Sequence, residues 1–177
     1  MLRRLFRPRQ ARVAGEALYA GLVAQARQPA LYRDYGVADR IDARFELYVL
    51  HLSLLLTRLK GQGEAAAETS QTLFDAFVGA LDDSLRELGV GDLSVAKKMR
   101  KLGEAVYGRT VGYQNALQAG DSAALSGLIA RALFAEDTAD ARSNRLAAYA
   151  LSTHEALAAA PLGAFLEGEA PWPEVKP

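Results

Sequence analysis

The sequence predicts an all-α fold: a single-domain helical bundle of about six to seven helices around one buried central helix. Three observations lead there. Apolar residues recur at three- and four-residue steps in most segments, and no run alternates with the two-residue period of a strand. Glycines and prolines fall between the periodic segments, where they act as helix stops. The chain has 177 residues, half of them hydrophobic and a quarter charged, which suits one domain with a real core.

The elements follow in order. A first helix is expected from about Gln10 to Gln28, with Leu18, Leu22 and Val23 inward and Pro29 as its stop. Residues 29–37 read as a loop pinned by Tyr32 and Tyr35. Asp39 or Asp42 would cap a helix lasting to about Leu59. Phe45, Tyr48, Val49, Leu52, Leu55, Leu56 and Leu59 take one side of it and Leu47, Leu50 and Leu54 much of the other. A helix apolar nearly all round is buried, so this is the central one.

Gly61-Gln62-Gly63 breaks that helix, and the next runs from Glu64 to Leu88 with Leu73, Phe74, Phe77, Leu81, Leu85 and Leu88 on one face. Gly89 is its expected left-handed cap. Asp92 or Ser94 would cap a basic helix ending at Gly108, followed by a short helix, Thr110 to Ala119. Asp121 or Ser122 would start another, and Asp137 or Thr138 the last long one, which Pro161 stops. The expected division is a basic N-terminal arm (1–9), a helical domain (10–166) and a proline-rich acidic tail (167–177), extended or disordered.

Composition narrows the function classes. Formal charge is zero, which disfavours a globally basic nucleic-acid binder. Without cysteine there is no disulfide, thiolate metal site or cysteine nucleophile. The two histidines, His51 and His154, are far apart in sequence, and no carboxylate or histidine cluster stands at ligand spacing, so no metal site and no cofactor are expected. His51 beside a leucine stripe reads as a hydrogen-bonded core residue. The pair Asp82-Asp83 points about 100° apart on a helix and is no catalytic dyad; Asp82 instead suits an ion pair with Arg86 four residues on. Walker, dinucleotide-binding and Gly-x-Ser-x-Gly patterns are absent. An enzyme is not expected.

What remains is binding surface. Lys97, Lys98, Arg100 and Lys101 fan over one side of the helix that carries Val95, Met99, Leu102 and Val106. Cations near a helix start oppose its dipole, so they suggest an anion-seeking face. Arg3, Arg4 and Arg7, with Arg9, Arg12 and neighbouring apolar residues, could meet anionic lipid or ribosomal phosphates.

The stretch LRELGVGDLSVAKKMRKLGEAVYGR (85–109) resembles the core signature of the ubiquinol–cytochrome c chaperone family. Upstream, Tyr35-Gly36-Val37, Asp39, Asp42-Ala43-Arg44-Phe45-Glu46 and His51 agree in order and spacing, as do Leu73-Phe74-Asp75 and Asp82-Asp83-Ser84-Leu85-Arg86. The resemblance covers most of Tyr32 to Tyr113. It implies a non-enzymatic assembly factor for the cytochrome bc1 complex, of bacterial type. Cytochrome b or another bc1 subunit would be its client, the ribosome or an anionic membrane surface its docking site, and in mitochondrial relatives a small helical protein its partner. Lys97, Lys98, Arg100 and Lys101 would dock. Tyr35, Asp42, Arg44, Asp83, Arg86 and Tyr107 become candidates for partner contact. The expected place is cytoplasmic, peripheral at the inner membrane. Two alternatives stay open: a haem- or quinone-binding bundle whose pocket holds His51 and Tyr48, and a nucleic-acid adaptor using the basic face.

Overall fold

The structure, a computed structural model, describes residues 2–87, 89 and 91–176, and the side chains of all of these except 2–8, 92 and 93. Among the described residues there are eight α-helices: α1 (Leu2–Ala26), α2 (Pro29–Arg33), α3 (Ile41–Leu59), α4 (Glu64–Glu87), α5 (Asp92–Ala119), α6 (Ser122–Ile129), α7 (Ala141–Ala159) and α8 (Leu162–Leu166). A π-helical turn, Ala130–Phe134, extends α6. No strand occurs among the described residues.

Helix α3 is the centre of the bundle, packed by α1, α4, α5 and α7. Its leucines 47, 50, 52, 54 and 55 are all wholly buried, so both sides of the helix contribute to the core. The hydroxyls of Ser53 and Thr57 do not break it, because each donates back to the carbonyl four residues earlier, at 2.7 and 2.6 Å. Arg58, near the end of α3, closes the C-terminus of α7 by donating to the carbonyls of Leu157 and Ala160 at 2.9 and 2.8 Å.

Helices α1 and α4 form the most extensive pair. Gly15 permits it: a Cβ there would lie 2.6 Å from the backbone nitrogen of Leu73. Thr72 completes the crossing by donating its hydroxyl to the carbonyl of Ala11 at 2.7 Å.

Several boundaries differ from expectation. The first helix starts at Leu2 rather than Gln10, and a short α2 occupies the expected loop. Gly108 does not end the basic helix. Instead α5 runs through Gly103, Gly108 and Gly112 to Ala119, because its buried face continues through Tyr113 and Leu117. Glycine in a helix costs about 1 kcal/mol, and packing outweighs it here. At Gly112 a side chain would press on Leu128 of α6 at 3.3 Å.

The caps were partly misplaced. Neither Asp39 nor Asp42 caps α3: the N-cap is Arg40, with Asp42 bonded to Arg40 and Asp39 to Arg44. Ser94 does not cap α5, whose N-cap is Gly91; the Asp92 side chain lies outside the described residues. Asp121 does cap α6. Asp140, not Asp137 or Thr138, caps α7, in a reciprocal box with Ser143. Gly89 has φ 75°, the left-handed conformation expected of it, whereas Leu88 lies outside the described residues.

The tail beyond Gly168 is extended and docked. Val175 is buried, the carbonyl of Pro173 accepts from Gln25 at 2.9 Å, and that of Lys176 accepts from the Tyr35 hydroxyl at 2.9 Å.

Candidate functional site

Helices α3, α4 and α5 enclose an open groove of about 980 Å³. Helix α3 lines it with Ile41, Asp42, Arg44, Phe45, Glu46 and Tyr48. Leu81, Ser84, Leu85 and Glu87 come from α4, and Leu102, Ala105 and Arg109 from α5. Its walls are mainly apolar. Ile41 stands at the mouth, 71% exposed, an unusual position for so large an aliphatic side chain.

The floor is polar. Glu46 is 6% exposed, and its Oε2 lies 2.6 Å from Nε of Arg109, but off the N–H direction, so this buried oxygen has no directed hydrogen bond. Burial pushes the Glu46 carboxyl up to about 7, against the opposing pull of Arg109. One turn along α5, the Tyr113 hydroxyl is also buried without a partner, and burial together with the Glu46 charge raises its pKa.

A second buried polar group lies elsewhere. His51 is wholly buried; its Nδ1 lies 2.8 Å from the carbonyl of Leu47 and its Nε2 2.9 Å from the Tyr149 hydroxyl. A carbonyl only accepts, so Nδ1 carries the proton and Nε2 accepts from Tyr149. Gln25 donates to the Tyr149 oxygen at 3.1 Å, and the Trp172 ring stands edge-on to His51. This makes His51 the hydrogen-bonded core residue the sequence indicated. It also removes the pocket imagined for haem or quinone: Tyr48 lines the groove, but His51 faces α7 and the tail with both ring nitrogens engaged. Among the described residues, no three of His, Cys, Asp and Glu converge as a ligand set.

These two groups titrate in opposite senses. Burial lowers His51 from 6.5 to about 4, so its contribution to stability is full above 6.5 and is lost as pH falls toward 4. Glu46 is raised from 4.5 to about 7, so its contribution is full below 4.5 and is lost as pH rises toward 7. Over their shared window the two slopes offset each other. Urea denaturation across pH 4.5–6.5 is therefore expected to show a shallower loss toward acid for the native chain than for Glu46→Gln, with the lowered His154 acting in the sense of His51 in both. In Glu46→Gln, stability should fall by about 2–3 kcal/mol from the upper to the lower end of that window. A flat profile in the variant would contradict this pairing.

The residues singled out from sequence separate into groups. Lys97, Lys98, Arg100 and Lys101 are all exposed, and no ion pair engages them among the described residues. Since α5 begins at Asp92, the lysines lie in its second turn, past the free N–H groups, so the expected conflict with the helix dipole is small. Asp42 and Arg44 line the groove. Arg86 pairs with Asp82 at 2.6 Å, and Asp83 is exposed; neither Arg86 nor Asp83 lines the groove. Tyr107 is 73% exposed on the outer side of α5. Tyr35 is buried under the tail, beside Tyr149 and Arg145. The side chains of Arg3, Arg4 and Arg7 lie outside the described residues. Sequence reasoning did not single out Glu46, Arg109 or Tyr113, because nothing in one sequence pairs residues 63 positions apart.

The sequence model of the ubiquinol-cytochrome C chaperone family matches residues 33–172. Among solved structures, the crystal structure of the Cbp3 homolog from Brucella abortus superposes with a TM-score of 0.87 at 33% identity, covering 98% of this chain and 97% of that one. No curated protein sequence matches significantly.

Proposed function

The chain belongs to the ubiquinol–cytochrome c chaperone family, and from that premise we propose that it is a non-enzymatic assembly factor for the cytochrome bc1 complex. Its client is cytochrome b or another bc1 subunit, held in the α3–α4–α5 groove. One observation carries the reading: parts of three signature stretches that are distant in sequence, Asp42 to Glu46, Ser84 with Leu85, and Leu102 with Ala105 and Arg109, meet on the lining of this one groove. An open apolar trough with a polar floor suits transient burial of an apolar segment, and its volume is that of roughly two turns of helix.

Beside it, the exposed cluster Lys97, Lys98, Arg100 and Lys101 docks the protein on an anionic surface, which we assign to membrane headgroups at the cytoplasmic side of the inner membrane. No helix among the described residues is long and apolar enough to cross a membrane, so attachment through this face is peripheral. Tyr107 and Val111, exposed on the same helix, add apolar contact at headgroup depth.

Deleting the gene in its host is expected to lower bc1 activity and the b-haem absorbance of the membranes together, with other respiratory complexes unchanged. Normal bc1 levels would overturn the assignment.

A further inference from the structure

We propose that the cleft beneath the C-terminal tail is a peptide-binding slot for extended, proline-containing segments. Residues 169–176 fill it in this chain, and such a segment of a partner protein competes with them.

Gln25 of α1, Tyr35 of the α2–α3 loop, His51 of α3 and Tyr149 of α7 form the wall of the slot, and none of them lines the α3–α4–α5 groove. The Tyr35 and Tyr149 rings stand edge to face with centroids 5.8 Å apart. From the tail, half-buried Trp172 meets His51 with centroids 5.5 Å apart, and Val175 is buried.

Both side-chain hydrogen bonds that hold the tail take main-chain carbonyls: Gln25 Nε2 donates to Pro173 and the Tyr35 hydroxyl to Lys176, each at 2.9 Å. Every residue has a carbonyl, so these donors recognise an extended backbone rather than particular side chains. The two carbonyls are three residues apart. A polyproline-type helix repeats every three residues and turns both to the same side. Proline favours that conformation in itself and in the residue before it, and Pro171 and Pro173 do so for positions 170 to 173. Aromatic-lined clefts are the usual receptors of proline-rich segments.

Two observations make the tail exchangeable. Among the described residues, no backbone–backbone hydrogen bond involves residues 173–176, so they leave without breaking secondary structure. The Trp172 indole N–H is buried without a partner, an unfavourable feature that a competing segment need not carry.

Trp172 is the single tryptophan of the chain, so its emission reports tail docking in the native protein. The probe is a fluorescently labelled peptide of residues 169–176 carrying Trp172→Phe. A tethered tail competes at an effective concentration of about a millimolar, so about that much peptide is expected to shift Trp172 emission to the red. Val175→Asp loosens the tail and leaves the slot wall intact; it should bind the labelled peptide about tenfold more tightly than the native chain does. A peptide that also carries Pro171→Ala and Pro173→Ala loses pre-organisation and should bind about tenfold more weakly. An unmoved Trp172 emission in the native chain at about ten times the effective concentration overturns the proposal, whatever the fate of the variant. Equal binding of the alanine peptide overturns it too, as does a helical Val175→Asp chain that exposes Trp172 and gains no affinity. A dimer that forms as the native chain is concentrated, and that the peptide dissolves, makes the tail of a second copy the occupant and overturns the partner protein.

Discussion

Reversing Lys97, Lys98, Arg100 and Lys101 to glutamate is expected to abolish binding to anionic vesicles while the fold survives. Each cation near such a surface contributes about 1 kcal/mol, so the four together account for about a thousandfold in partitioning. The reversed chain, moved from a formal charge of zero to strongly negative, is also repelled. The fold should persist because all four side chains are exposed and the core face of α5 is untouched. Sedimentation with vesicles containing anionic lipid, compared with zwitterionic ones, reads the loss, and far-UV circular dichroism checks the helices. Unchanged partitioning would end the membrane-docking role. Retained vesicle binding with lost ribosome co-sedimentation would reassign the face to ribosomal phosphates, whose contacts are steeply salt-dependent.

Ala105→Trp is expected to eliminate chaperone activity with little loss of stability. Ala105 sits in the groove wall on α5, between Leu102 and Arg109, and is half-buried. The indole enters open volume rather than packed core, so the strain of overpacking is avoided. The same volume is denied to the client, and a buried central contact in an interface can be worth 2 kcal/mol or more, which corresponds to roughly a thirtyfold loss of affinity. A urea midpoint like that of the native chain, with client capture lost, is the expected combination.

Much of the fold was legible because α3 and α4 carry strong periodic patterns. A helix apolar nearly all round must be central, and α3 is. The misread places share a cause: local signals were overridden by tertiary contacts. Gly108 looked like a stop, yet Tyr113 and Leu117 bury the continuation of α5 and hold it helical. Asp39 looked like a cap, yet Arg44 draws its carboxylate away from the helix end. The tail looked unconstrained, yet its carbonyls are bound by Gln25 and Tyr35, both far away in sequence.

The candidate site was half legible. The signature stretches were identifiable one by one, and the basic face followed from the spacing of Lys97, Lys98, Arg100 and Lys101 along one helix. Their convergence on a groove depends on how α3, α4 and α5 pack, and the Glu46–Arg109 contact exists only once α3 and α5 are side by side. Tyr35 was legible as a signature residue, but its surroundings were not. A tyrosine in a signature stretch invites a partner role, but its hydroxyl anchors the chain's own tail.

The most direct test of the central claim is rescue of the deletion strain. Native chain and Ala105→Trp, expressed at equal levels, are compared for bc1 activity and the b-haem spectrum of isolated membranes. The account predicts full restoration by the native chain and little or none by the variant, with other respiratory complexes equal in both strains. Equal restoration by Ala105→Trp would show that bc1 assembly does not pass through the groove.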